Sequence, residues 1–134
     1  MVNLLRNDDL GKLILRLTVG ILMLLHGLNK VFDPGIVASI ADKVAAAGLP
    51  AAVAYGVYVG EVLAPLMIVL GLWSRIGGLI AAVNMLFAVG LMHTGQLLSL
   101  TDHGGWALEL QAFYLFGALA IVFLGSGRFA LRAD

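Results

Sequence analysis

The chain has 134 residues, 61% of them hydrophobic and only 12% charged, with a mean hydropathy of +1.02. So little charge cannot coat a water-facing globule, and the composition implies lipid as the outer solvent around a single domain, 1–134. Eight basic and eight acidic residues balance, with no basic patch for nucleic acid, and the absence of cysteine excludes disulfides, thiol catalysis and iron–sulfur ligation.

Four apolar segments follow one another, each near the ~20 residues that cross a bilayer. The first covers about 10–32, from Leu10 to Phe32. It is too long for a signal-peptide core, and His26-Gly27-Leu28-Asn29-Lys30 stands where a small-residue cleavage site would be, so it reads as a retained helix. Asp33-Pro34-Gly35 then signals a turn, and Gly48 with Pro50 a stop. Between them Ile36, Ile40 and Val44 recur at helical spacing beside Asp42 and Lys43, which predicts a short amphipathic helix at the interface. The second segment covers about 51–73 and the third about 76–93. Only Trp73-Ser74-Arg75 joins them, so they must form a tight antiparallel hairpin. A polar stretch from Thr94 to Gly105 leads to the fourth, about 106–124. The expected fold is all-α: an integral membrane bundle of four transmembrane helices, with an interfacial helix between the first two.

Basic residues set the orientation. Arg6, Lys12, Arg16, Arg75, Arg128 and Arg132 fall on the side shared by both termini and the short hairpin loop, against Lys30 and Lys43 on the other. Both termini are therefore expected in the cytoplasm, with Trp73 and Trp106 marking opposite interfaces. Gly56-Val57-Tyr58-Val59-Gly60 matches GxxxG, which permits close packing inside the bundle or, as the weaker alternative, across a homodimer.

Chemistry should sit where the apolar rule is broken, because an ionisable group in hydrocarbon costs several kcal/mol unless paired or hydrated. Glu61 is the most informative position, near the middle of its segment. Four residues on, Pro65 has no amide hydrogen, so a carboxyl and an undonated carbonyl coincide at membrane depth. Arg16 and Lys30 lie fourteen residues apart, within roughly 40° of each other on a helix, with Gly20, Met23 and Gly27 along the same inward stripe. Arg16 could snorkel to the cytoplasmic interface or pair with Glu61, and Lys30 is expected to snorkel outward. His26 is one turn deeper than Lys30. Glu109 sits one turn inside the outer interface, where solvation at the rim is the simpler reading. Asn84 and His93 point to opposite faces, Asn84 nearer the level of Glu61 and His93 at the outer end. Together Glu61, His26, Lys30, Arg16, Glu109 and His93 are the candidates for ligand binding or proton relay, around a polar cavity open to the outside and floored by Glu61. The three histidines lack metal-ligand spacing, so no metal centre is expected, and no flavin or haem motif is present.

Leu15-Arg16-Leu17 with Gly20, then His26-Gly27-Leu28-Asn29-Lys30, resembles the first helix of the DoxX family of bacterial four-helix inner-membrane proteins. The resemblance continues through Ala47-Gly48-Leu49-Pro50, Gly60-Glu61-Val62 and Val69-Leu70-Gly71-Leu72. It closes with Gly104-Gly105-Trp106-Ala107-Leu108-Glu109 and the tail from Leu124 to Phe129. It implies a multi-pass protein of the bacterial inner membrane. Similarity to a subunit of a thiosulfate:quinone oxidoreductase further implies quinone handling, with Arg16, His26, Gly27, Lys30, Glu61 and Glu109 as positions of interest.

Three functions are compatible with these residues. The first is a membrane subunit of a redox-linked system that binds a quinone or similar small apolar carbonyl compound, with electrons supplied by a partner redox subunit. His26 and Lys30 would donate to the ligand, and Glu61 or Glu109 would relay protons. The second is an assembly or scaffold protein whose polar residues only lock the bundle. The third is a small-molecule or proton transporter, for which four helices are few and no inverted repeat is visible.

Overall fold

The computed structural model describes residues 5–92, Gly95 and 98–134. Helix α1, Asp8–Phe32, starts where the Asn7 side chain accepts from the Leu10 amide at 3.0 Å, with Asp8 and Asp9 in the first turn complementing the helix dipole. It buries Arg16, Val19, Gly20, Met23 and Gly27, a stripe at three- and four-residue spacing that matches the inward face expected from sequence. Pro34 ends it, since proline cannot continue the hydrogen-bond ladder, and opens α2, Pro34–Ala46, in the position where its missing N–H is harmless.

Helix α3, Ala51–Leu70, is irregular along its length. A 3₁₀ stretch, Ala51–Tyr55, leads through one α-turn into a wide π-turn at Val59–Leu63, and only Ala64–Leu70 is regular again. The cause lies in the sequence. Pro65 supplies no donor for the Glu61 carbonyl, and the Ala64 amide reaches back five residues to Val59. Gly71 (φ 71°) closes the helix in the left-handed conformation and Trp73 (φ 48°) completes the reversal into α4, Ser74–Met92. This is the tight hairpin that the three joining residues require. Helix α5, Glu109–Leu124, has 16 residues, or about 24 Å at 1.5 Å per residue, and begins three residues later than expected.

Val19 and Met23 of α1, Ala64 and Ile68 of α3, Ala81, Ala82 and Met85 of α4, and Tyr114, Ala118 and Ile121 of α5 form one core. Small residues let the backbones approach. A Cβ placed on Gly78 would stand 2.7 Å from the Ala118 carbonyl. Large apolar side chains meanwhile point outward, with Phe113, Phe116 and Phe123 of α5 at 77%, 65% and 79% exposure. That inside-out distribution is expected where the surroundings are hydrocarbon. Among the described residues, three helices are long and apolar enough to cross a membrane: Asp8–Phe32, Ala51–Leu70 and Ser74–Leu91. Helix α5 is apolar but shorter.

At the end of the bundle where α3 and α5 terminate, two arginines gather the carbonyls that helix ends leave without donors. Arg16 Nε donates to Ile68 O at 2.9 Å and Nη2 to Val69 O at 3.0 Å, while Nη1 donates to Ser126 O at 2.9 Å and Phe129 O at 2.7 Å. Arg75 donates to the carbonyls of Val122, Phe123 and Asp134. The C-terminal tail is thereby folded back along the hairpin, with Leu131 and Arg132 amides donating to Leu70 and Gly71 carbonyls.

Candidate functional site

A cavity of about 980 Å³ opens at the opposite end of the bundle, between α2 and the four longer helices. Its chemistry starts with Glu61 in the π-turn of α3. The wide turn brings the carboxyl to α1, where Lys30 Nζ donates to Oε1 at 2.6 Å, and to α4, where Asn84 Nδ2 donates to Oε2 at 3.2 Å. The Glu61 side chain is 7% exposed and that of Lys30 18%, so the ion pair is largely shielded. Two glycines make the approach geometrically feasible. A Cβ on Gly27 would collide with the Glu61 carbonyl, and one on Gly60 would collide with the Asn84 side chain. Within the GxxxG motif, then, Gly60 packs inside the chain, while Gly56 lines the cavity with open space beside it.

His26 lines the same cavity, with its ring edge-on to Tyr114 of α5 at a centroid distance of 5.7 Å and an interplanar angle of 80°. Gln111, one turn earlier on α5, is also a lining residue, and its Oε1 is buried without a hydrogen-bond partner. Helix α2 closes one side of the cavity. Val37 and Val44 are buried against Ala54 and Val57 of α3, which leaves Ile36 and Ile40 on the cavity wall. The result is an apolar chamber with polar groups contributed by α1, α3, α4 and α5, each restrained by its own helix.

The structure brings together Glu61, Lys30 and His26, and it separates Arg16 and Glu109 from them. Lys30 does not snorkel outward as expected, because a carboxylate within reach in a low-dielectric interior holds it more strongly than distant water. Arg16 neither snorkels nor meets Glu61. It is 1% exposed and spends its donors on four carbonyls at the far end of the bundle, so it belongs to the framework and not to the cavity wall. Glu109 is exposed in the first turn of α5 with its carboxylate against Gly105, and it does not line the cavity. His93 lies outside the described residues. Gln111 is legible in the sequence as a polar break in its apolar segment but was not among the site candidates, and Tyr114 was not singled out. A lone glutamine in an otherwise apolar helix was the available signal for one. Tyrosine, an apolar ring with a polar tip, is at home in a membrane helix and gives no such signal for the other.

No curated protein and no solved structure matches the chain significantly. A protein-family comparison does identify it. The family model described as DoxX matches residues 11–94, which run from α1 to just beyond α4 and contain His26, Lys30, Glu61 and Asn84, whereas α5 lies beyond the match. The chain is a membrane protein and belongs to the DoxX family.

Proposed function

We propose that this protein is a multi-pass component of the bacterial inner membrane whose cavity binds a quinone or a similar small apolar carbonyl compound, in the service of a redox-linked system. In this reading α1, α3, α4 and α5 all cross the bilayer, α2 lies at the outer interface, and both termini face the cytoplasm. The grouping of Lys12, Arg16, Arg75, Arg128 and Arg132 at one end supports that orientation, since positive charge concentrates on the cytoplasmic side. The cavity then opens outward. Trp106 and the segment before α5 would fill the rest of the fourth span.

One observation carries the ligand reading: a 980 Å³ chamber with apolar walls encloses a small set of restrained polar groups from four helices. Ligand pockets fall in the range of ~300–1,000 Å³ with this balance of lining. A quinone carbonyl needs a donor, and Lys30 and Asn84 each retain N–H groups beyond the one given to Glu61. Proton exchange at such a carbonyl needs a carboxyl nearby, which is Glu61. Electrons would come from a partner subunit.

Native mass spectrometry of gently extracted wild-type protein beside Glu61→Gln tests this. A bound quinone or quinone-like ligand in the wild type, lost or depleted in the variant, is the expected result. An empty wild-type protein, with the variant merely less stable or deprived of a protein partner, would replace the ligand reading with that of a scaffold.

A further inference from the structure

The two glycines of the GxxxG stretch in α3 meet different surroundings. Gly60 is pressed against Asn84 of α4, whereas Gly56, one turn further from the hairpin, has nothing within 4 Å of where a Cβ would stand. The cavity reaches both. Because α3 and α4 run antiparallel from their tight hairpin, the residues across from Gly56 lie about one turn beyond Asn84, at Phe87 and Ala88, and these line the cavity too. The helices thus touch at Gly60 and Asn84 and part beyond that contact. They are bridged again at Leu91, which packs against Val37 and Val44 of α2 and Ala54 and Val57 of α3. Between the two bridges lies a window, about 10 Å along α4 from Asn84 to Leu91. Its flanks face two ways. Val59, Val83 and Phe87 line the cavity and are exposed as well, Phe87 at 51%. Phe87 and Leu91 also line a shallow groove with the exposed Leu86 and Gly90, so chamber wall and outer surface share these side chains. Apart from Asn84 the frame is apolar, and Asn84 holds Glu61 Oε2 at 3.2 Å, so the polar end of the cavity adjoins the window.

We propose that the ligand is an amphiphile whose polar head sits beside Glu61, Lys30 and Asn84 and whose hydrocarbon chain leaves sideways through this window into the bilayer. The proposal rests on the ligand reading above and adds the chain and its route. A chain in the window meets apolar side chains on its flanks and lipid beyond them, so it exposes no apolar surface to water. The other way out passes the rim at the start of α2, where Asp33 and Ser39 are exposed and line the cavity. A chain directed there would lie against polar groups. The frame also favours a chain over a second copy of the protein. A helix with its side chains is ~10–12 Å across and would not enter an opening of this height bridged at both ends.

The test is photolabelling of the full chain in lipid nanodiscs, with a benzoquinone whose decyl chain ends in a diazirine, and peptide mapping by mass spectrometry. Label that excess methylbenzoquinone displaces marks the bound chain, because the two compounds share a head but not a chain. Label that persists marks probe dissolved in the bilayer. The displaceable label should fall on Val59, Val83, Leu86 and Phe87. Displaceable label at the rim from Asp33 to Ser39, or on Phe113 and Phe116 of α5, overturns the proposal and leaves the ligand reading standing. Binding titrations of decyl- and methylbenzoquinone then compare each probe with itself across variants, so that partition into the medium cancels. Gly56→Ala fits the open space and should hold the ratio of the two affinities within about twofold of wild type. Gly56→Phe fills the window and should weaken the decyl probe about tenfold more than the methyl probe. An equal loss for both probes overturns the window. So does a Gly56→Phe chain that dissociates a wild-type dimer in native mass spectrometry with the probe ratio unchanged, which would assign the opening to a second copy. If neither probe binds the wild-type chain, the ligand reading itself falls and this proposal with it.

Discussion

Replacing Glu61 by glutamine changes one atom in a contact that joins three helices. Lys30 loses its counter-ion at 2.6 Å, and the new amide must either turn its NH₂ toward the Asn84 Nδ2 now 3.2 Å from Oε2, or toward the Lys30 ammonium. Two donors then face each other unless the Asn84 amide also turns to present its Oδ1, and in either case the Lys30 charge has lost its counter-charge. With side-chain exposures of 7% and 18%, the pair is shielded well enough that removing one partner leaves a charge poorly served by water. Such single removals from buried pairs cost about 3–5 kcal/mol, and the partial exposure of Lys30 points to the lower end, about 3 kcal/mol. Removing both charges with similar volumes, in Lys30→Met with Glu61→Leu, should return stability to within about 1 kcal/mol of wild type, because the desolvation penalty of both ions vanishes with their attraction. Reversible unfolding in mixed detergent micelles, followed by circular dichroism for wild type, Lys30→Met, Glu61→Leu and the double variant, measures the coupling directly. A Glu61→Gln variant within 1 kcal/mol of wild type, or a double variant no better than the single ones, would refute the claim that these two charges face each other in a dry interior.

Gly27→Ala should be among the most disruptive single changes, since its Cβ would collide with the Glu61 backbone carbonyl; a loss of about 2–3 kcal/mol in the same unfolding assay, together with weakened ligand binding, is expected. Gly60→Ala should act more locally by displacing the Asn84 side chain, which is flexible, so ligand affinity should fall more than stability, as read by parallel binding and unfolding titrations. Arg16→Met removes the donors of four carbonyls and should lower stability by about 3–5 kcal/mol while leaving the ligand affinity of the surviving folded fraction unchanged; altered affinity would mean that Arg16 communicates with the cavity. Gly71→Ala combines a left-handed φ of 71° with a collision against Ala130, and limited proteolysis should find the C-terminal tail released.

Much of the helical layout is legible in the sequence because its signals are local. Pro34 and Gly71 end helices by backbone chemistry, and Gly20, Met23 and Gly27 mark the buried face of α1 through a periodicity that packing then respects. Pro65 likewise announces a fault one turn earlier, and the π-turn at Val59–Leu63 is that fault. The site was legible in part. Glu61, Lys30 and His26 could be named as expensive residues at membrane depth, yet their partners could not, because a lysine near a helix end has two ways to avoid hydrocarbon and the chain alone does not choose between them. Arg16 shows the same ambiguity from the other side.

Composition and apolar segment lengths by themselves determined that this is a helical membrane protein, since so little charge leaves lipid as the only surrounding that fits. What only the tertiary structure decided was which polar groups meet. Helix rotation and axial offset are set by small-residue contacts such as Gly27 on the Glu61 carbonyl and Gly60 on Asn84, each a close approach between segments distant in the chain. A shift of one residue in any of them would turn Lys30 by about 100° away from Glu61, and no local propensity records that choice.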